Sequence, residues 1–280
     1  MNESVAVPQA LLDTASTLPT VPGVYLFMGD GPLPLYIGKS VNIRSRVQQH
    51  LRNPLESRWV KHSHRIEHIT TAGEVGALLL EAQLIKARQP LMNQRLRRNR
   101  QLCALRWTGG KPEVVHARDV DFATTAALHG PFASKHGAEA LLLELADEHR
   151  LCLASLGLEH TVKGRPCFRS AIGKCAGLCR GHETQAEHDA RLGAALGRWQ
   201  LRCWPHPGAV ALVERRPGAC DHLVVKNWCF LGRADSLEEA QSLQQVAAGF
   251  DADGYKILCA PMFRGDVEIV ELGRGGRGAG

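Results

Sequence analysis

The chain has 280 residues and a formal net charge of +6, with 44% hydrophobic and 22% charged residues. That balance is ordinary for a globular protein and excludes an intrinsically disordered or low-complexity chain. No apolar run reaches the roughly 18–20 residues a membrane span needs. The opening MNESVAVPQALLD has neither a basic region nor a long apolar core, so a cytoplasmic protein without signal peptide or membrane partner is expected.

The length suits one or two domains. The surplus of positive charge points to a polyanionic partner. Nine cysteines, an odd number without an export signal, argue against a disulfide framework. Whichever of them cluster are better read as ligands of a metal or an iron–sulfur centre.

Residues 1–17 read as a leader helix or a loose arm, and residues 18–100 as the first compact unit. Two apolar runs, 23–27 and 34–37, flank a segment holding two glycines, an aspartate and a proline, which predicts a β-hairpin. Gly38 and Ser40 should stop the second strand, with Ser40 the expected N-cap of a helix that carries Ile43, Val47 and Leu51 on one face. Asn42, Arg46 and His50 form a second stripe on that helix. Two of the three tyrosines, Tyr25 and Tyr36, lie on the paired strands. For a lone tyrosine the ordinary reading is a core residue; two on adjacent strands near a glycine suggest a site.

A basic, His-rich passage over 58–68 leads to a strand expected at 66–70. Residues 74–88 carry the strongest helical pattern, and Pro90 ends it. At 100° per residue Glu81 falls on the arc of Ala77, Leu78, Leu84 and Ile85. A carboxylate in an apolar stripe is costly unless something pairs with it; Arg65 and Arg46 are the ordinary ion-pair partners. The tract NQRLRRNRQ then holds Arg95, Arg97, Arg98 and Arg100.

Residues 101–151 predict strands at 102–107 and 114–117 and a helix over 137–151. Residues 152–182 are cysteine-rich. Cys167, Cys175 and Cys179 are spaced by eight and four, and Cys152 lies fifteen before them. This spacing suits a four-thiolate zinc site or a [4Fe–4S] cluster alike, with His182 a spare ligand for zinc. The plain alternative is four buried, unliganded cysteines. The remaining cysteines sit singly in apolar contexts and read as core. Residues 183–201 read as a polar helix. Over 203–272, short β-like runs (209–213, 223–225, 228–231, 256–259, 268–272) alternate with a helix near 236–245. Residues 183–272 are thus a C-terminal α+β region without recognisable chemistry, and 273–280 a glycine-rich tail expected to be flexible.

Gly23-Val24-Tyr25 and Tyr36-Ile37-Gly38, followed by a helix bearing Arg46, resemble the GIY-YIG nuclease motif. Lys39, Asn42, Arg44 and Arg46 resemble more narrowly the N-terminal nuclease domain of UvrC, and the segment around Cys167, Cys175 and Cys179 resembles the UvrC cysteine segment. The resemblance runs through roughly residues 18–182. It implies an α+β fold: a small, mainly antiparallel sheet flanked by helices, with a middle extension and the cysteine segment after it.

The resemblance also implies roles. Glu81 would hold one divalent metal, Mg²⁺ or Mn²⁺. Tyr36 would act as general base with Tyr25 as its supporting partner, and Lys39, Arg46 and the metal would be the cations that make a tyrosine usable as a base. Arg46 would clamp the scissile phosphate, and Asn93 would close the site. His50 stands where UvrC-like sequences often have tyrosine; a phosphate contact or a proton donor to the leaving group are both open. Cys152, Cys167, Cys175 and Cys179 would ligate a [4Fe–4S] cluster, with zinc the alternative. Arg44, Arg95, Arg97, Arg98 and Arg100 would meet the DNA backbone, which positions DNA without reading sequence.

The implied function is a metal-dependent endonuclease of nucleotide excision repair. It would nick damaged double-stranded DNA on the 3′ side of a lesion, in a complex with UvrB assembled by UvrA. The segment after His182 is too short for the second nuclease domain and tandem helix-hairpin-helix domain of a full UvrC, so 5′ incision is expected to lie outside this chain. Two other readings stay open: a stand-alone GIY-YIG nuclease, and a non-catalytic DNA-binding scaffold.

Overall fold

The structure is a computed structural model that describes residues 7–93, 102–161, 165–243 and 250–273. The chain forms two compact units, one of residues 1–99 with 205–280 and one of residues 100–204. No helix of the described residues is long and apolar enough to cross a membrane.

The first unit opens with α1 (Gln9–Thr17), in place of a loose arm. The hairpin comes next as β1 (Gly23–Met28) and β2 (Pro34–Ser40), antiparallel, with Tyr25 opposite Gly38. After it stand α2 (Ile43–Arg52), a 3₁₀ turn (Pro54–Glu56), the single-turn α3 (Ser57–Val60), β3 (Arg65–Thr70) and α4 (Glu74–Arg88). The sheet order is β2-β1-β3, with β1 in the centre and buried on both faces.

The alternation of β1 sorts its side chains. Tyr25 and Phe27 join Leu11, Ile43, Val47 and Leu51 in the core beneath α1 and α2. Val24, Leu26 and Met28 pack with Ile37 against Ile85, Leu80 and Leu84 of α4. Asn42, rather than Ser40, is the N-cap of α2; its side chain accepts from the Ser45 N–H at 3.0 Å. Ser40 remains in β2, and its hydroxyl donates to the Asn42 carbonyl. Helix α4 ends as expected, with Gln89 in the left-handed conformation (φ 47°) immediately before Pro90.

The second unit holds a sheet of β4 (Cys103–Arg106), β5 (Glu113–His116) and β6 (Leu128–Phe132), in the order β5-β4-β6. Strand β6 covers His129-Gly130-Pro131-Phe132, which carries no strand signal in the sequence; Gly and Pro mask strand character locally, and pairing with β4 supplies it. Helix α5 (Lys135–His149) packs Leu141, Leu142, Leu145 and Ala146 on Cys103, Leu105 and the buried face of a later helix, α8 (Gln185–Leu196). Before that helix come the single turns α6 (Leu153–Leu156) and α7 (Phe168–Ala171). Helix α8 (Gln185–Leu196) opens on a capping box of Thr184 and Glu187. It is amphipathic rather than simply polar: His188, Leu192, Ala195 and Leu196 are buried.

The chain returns to the first unit with β7 (Val210–Arg216), β8 (Ala219–Lys226), β9 (Cys229–Ala234), α9 (Leu237–Ser242), α10 (Ala252–Arg264) and β10 (Glu268–Glu271). These strands form an antiparallel sheet in the order β10-β7-β8-β9. The β-like run at 256–259 is a misreading: it lies inside α10, which Asp251 caps and whose Gly254, Leu258 and Met262 are buried. A four-residue window is too short to separate the two periods. The glycine-rich tail from residue 274 onwards lies outside the described residues.

Candidate active site and cysteine cluster

The hairpin glycines are there for space. A Cβ on Gly38 would lie 2.4 Å from the Tyr25 hydroxyl, and one on Gly23 would lie 2.3 Å from the Ile69 carbonyl of β3. Gly38 therefore makes room for the tyrosine on the opposite strand, and Gly23 lets β1 and β3 approach.

Tyr25 is 1% exposed, and its ring lies 6.3 Å from that of Tyr36. The Tyr25 hydroxyl meets His50 Nε2 at 2.7 Å, and His50 Nδ1 meets the Glu56 carboxylate. Burial pushes the His50 pKa down, against the pull of Glu56. A neutral imidazole with its proton on Nδ1, donating to Glu56, leaves Nε2 to accept from Tyr25. His50 is 2% exposed, so it stands behind Tyr25 and faces no solvent through which a phosphate could approach. Tyr36 stacks on Trp59 at 4.8 Å and 23°. Glu56 and Trp59 escape a reading of the sequence, because both lie in short irregular turns that leave no periodic signal.

Burial raises the Tyr25 pKa, and Tyr36 adds to the rise. Burial likewise raises that of Tyr36, with Glu81 reinforcing it. The charge of Arg46 opposes both shifts without overcoming them. Arg46 itself is exposed on α2, where it also donates to Gln49.

Glu81 is held by a main-chain group. Its Oε1 accepts the Lys39 N–H at 3.0 Å, while the Lys39 ammonium pairs with Glu74 at 2.5 Å. Neither Arg65 nor Arg46 pairs with Glu81: Arg65 pairs with Glu67. Burial raises the Glu81 pKa, opposed by the Lys39 N–H. Among the described residues no donor reaches Oε2. A half-buried carboxylate with one oxygen unpartnered is a hard-oxygen donor suited to a small divalent cation that keeps its waters.

Asn93 grips one residue of β2 with both ends of its amide. Its Oδ1 accepts from the Ile37 N–H at 3.0 Å and its Nδ2 donates to the Ile37 carbonyl at 2.8 Å. It thereby fixes the strand next to Gly38. Arg44 is half-buried, and its Nε donates to the Leu18 carbonyl at 2.6 Å, which fastens the segment before β1. Arg95, Arg97, Arg98 and Arg100 lie outside the described residues.

In the second unit the Sγ atoms of Cys152, Cys167, Cys175 and Cys179 all lie within 4.8 Å of one another. Cys152 and Cys167 are the N-caps of α6 and α7, and Gly177 turns the chain between Cys175 and Cys179 with φ 104°. His182 is not in the group; it packs against Gly177. Burial raises the thiol pKa values of Cys152 and Cys167. Such thiols stay protonated and inert unless a cation stabilises the thiolates. His188 of α8, fully buried, accepts the Cys152 N–H at 3.1 Å and so ties the group to the helical core.

Three family models match successive parts of the chain: UvrC-like GIY-YIG domain over residues 21–94, UvrC/Cho excinuclease, middle domain over residues 102–198, and Excinuclease Cho C-terminal domain over residues 209–276. The chain is 53% identical to "Excinuclease cho" of Escherichia coli (strain K12) over 266 residues, which are 95% of this chain and 90% of that protein. The same protein of Salmonella typhi is also 53% identical, over 95% of this chain and 91% of its own. Among solved structures, the GIY-YIG N-terminal endonuclease domain of UvrC from Thermotoga maritima, bound to magnesium as its catalytic divalent cation, is 29% identical. That match covers 33% of this chain and 99% of that one, with a TM-score of 0.28. The hairpin tyrosines, the α4 carboxylate and the four gathered cysteines therefore sit in a chain that belongs, over nearly its whole length, to the UvrC family of GIY-YIG nucleases, in its excinuclease Cho branch.

Proposed function

We propose that this endonuclease of excision repair nicks the damaged strand of double-stranded DNA on the 3′ side of a lesion, in the cytoplasm, within a complex with UvrB that UvrA helps to form. The observation that carries the reading is the grouping of Tyr25 and Tyr36 on the paired strands of the hairpin with Arg46 of α2 beside them, and Glu81 fixed to the adjacent Lys39 N–H.

Each side chain has a task. Tyr36 takes the proton of the attacking water, and Tyr25, anchored by His50 and Glu56, holds the Tyr36 side of the pocket in place. Arg46, exposed beside both tyrosines, binds the scissile phosphate and favours the tyrosinate. Lys39 fixes Glu81 through its N–H, and Asn93 holds the main chain of β2 at Ile37, two residues before Lys39. Glu81 would hold Mg²⁺ or Mn²⁺, which would stabilise negative charge on the phosphate oxygens. Arg44 and the arginines at 95, 97, 98 and 100 would track the DNA backbone.

The four cysteines would hold a [4Fe–4S] cluster. Zinc is the second reading, favoured by sulfurs within 4.8 Å of one another, because Zn–S bonds of about 2.3 Å draw four thiolates close together. Cys175→Ser is expected to give poorly soluble protein without a brown chromophore, since a structural metal contributes folding free energy directly. Visible absorption and metal analysis check this: a colourless wild type with one zinc per chain selects the second reading, and a metal-free wild type removes both.

The function is tested with an end-labelled duplex carrying one bulky lesion, in Mg²⁺, with and without UvrA and UvrB. The expected result is a single nick 3′ of the lesion that needs both partners. Cutting that ignores lesion and partners would make the protein a stand-alone nuclease, and no cutting under any condition would make it a scaffold.

A further inference from the structure

Helix α4 carries Glu81, yet it does not cap its own N-terminus: Gly73, at the N-cap, offers no side chain. The cap comes from β7, 139 residues downstream of Val75. Glu214 accepts the Val75 N–H on Oε1 at 2.9 Å and the Gly76 N–H on Oε2 at 2.7 Å. A carboxylate across the first turn satisfies two donors that the helix leaves open and complements the positive end of its dipole.

The contact is built into the backbone on both sides. A Cβ on Gly73 would lie 2.2 Å from Glu214 Oε1, and one on Gly76 would lie 3.0 Å from Oε2. The lead-in to α4 is gripped in turn. Arg233 donates to the Thr70 carbonyl at 2.7 Å, Arg216 to the Thr71 carbonyl at 3.1 Å, and Asp221 accepts the Ala72 N–H at 2.6 Å. At the far end Lys86 pairs with Asp251 at 2.6 Å and Asp253 at 3.0 Å, both at the start of α10.

The first turn of α4 is also where Glu74 pairs with the Lys39 ammonium, and two turns later Glu81 takes the Lys39 N–H. The placement of that turn therefore governs both contacts to Lys39. We propose that the C-terminal sheet serves as a clamp on the catalytic helix, and that Glu214 is a positioning residue which sets the α4 N-terminus and through it the Glu81 carboxylate. The proposal rests on the reading of Glu81 as the metal carboxylate.

The test uses the full chain as wild type, Glu214→Ala, Glu214→Gln and Glu81→Ala. Free Mn²⁺ is counted by electron paramagnetic resonance to give the affinity, and amide hydrogen exchange is monitored over residues 70–81. Glu214→Ala is expected to weaken Mn²⁺ binding roughly tenfold, the low end of what outer partners of metal ligands give. Exchange over 70–81 should quicken, and the Mg²⁺ concentration for half-maximal nicking should rise in parallel. Glu214→Gln, which keeps one acceptor oxygen for one N–H, should fall between. Where Glu214→Ala does not fold, Gly76→Ala disturbs the same contact while keeping the charge, and should shift Mn²⁺ affinity in the same direction. Faster exchange or a lower melting temperature with unchanged Mn²⁺ affinity would make the contact purely structural and overturn the proposal. If Glu81→Ala binds Mn²⁺ as wild type does, the reading of Glu81 falls and the clamp's role falls with it. If Glu81→Ala is impaired and Glu214→Ala is normal, the clamp alone falls.

Discussion

Glu81→Ala is expected to leave a protein that folds and binds lesion-bearing DNA but cuts it about a thousandfold more slowly. A metal that stabilises charge on phosphate oxygens contributes several kcal/mol, and each 1.36 kcal/mol is about tenfold in rate. The loss should not come from unfolding. Glu81 is half-buried, its pKa is raised by that burial, and among the described residues its one hydrogen bond is to the Lys39 N–H. Removing an incompletely satisfied buried carboxylate costs little stability and can add some. Single-turnover nicking with fluorescence anisotropy of labelled DNA separates the two effects. A parallel loss of DNA binding would move Glu81 from metal holding to fold or DNA contact, and retained cutting would remove it from the reaction.

How far this site can be read from the sequence depends on where each signal resides. The hairpin and α4 are written in short-range periods, so β1 and α4 are legible to within a residue, whereas β2 runs three residues past its expected end and takes in Gly38 and Ser40. The cysteine spacing marks a group, and the fold brings all four sulfurs together. The sequence alone puts the cap of α2 two residues early, because Ser40 and Asn42 are both good caps and only the strand pairing of Ser40 decides between them.

Contacts made by tertiary placement are illegible in the sequence. Glu56 reaches His50, and Trp59 reaches Tyr36, from short turns with no pattern of their own. Glu214 reaches α4 across 139 residues. Lys39 invites a reading through its ammonium, yet it is its N–H that meets Glu81, and no sequence motif encodes a main-chain donor. Arg44, read as a DNA contact, has its Nε committed to the Leu18 carbonyl, which only the return of the chain before β1 makes available.

Tyr36→Phe carries the second large effect: nicking about a hundred- to ten-thousandfold slower, the range for losing a general base, with the fold and DNA affinity retained. The ring has reasons to stay where it is. It stacks on Trp59 at 4.8 Å and lies against His50 at 5.4 Å, and both contacts survive removal of the hydroxyl. The pH profile distinguishes a base from a residue that merely shapes the pocket. Burial and then Glu81 raise the Tyr36 pKa, so near neutrality the side chain is mostly protonated and the tyrosinate that a base role requires is scarce. Its fraction grows as pH rises toward that pKa. The wild-type rate should therefore climb with pH across the neutral and mildly alkaline range, whereas the residual rate of Tyr36→Phe should lose that dependence. His50 cannot mimic the climb, because its depressed pKa leaves it neutral throughout that range. A variant that is slow but keeps the wild-type slope would assign the base elsewhere and reduce Tyr36 to a wall of the pocket.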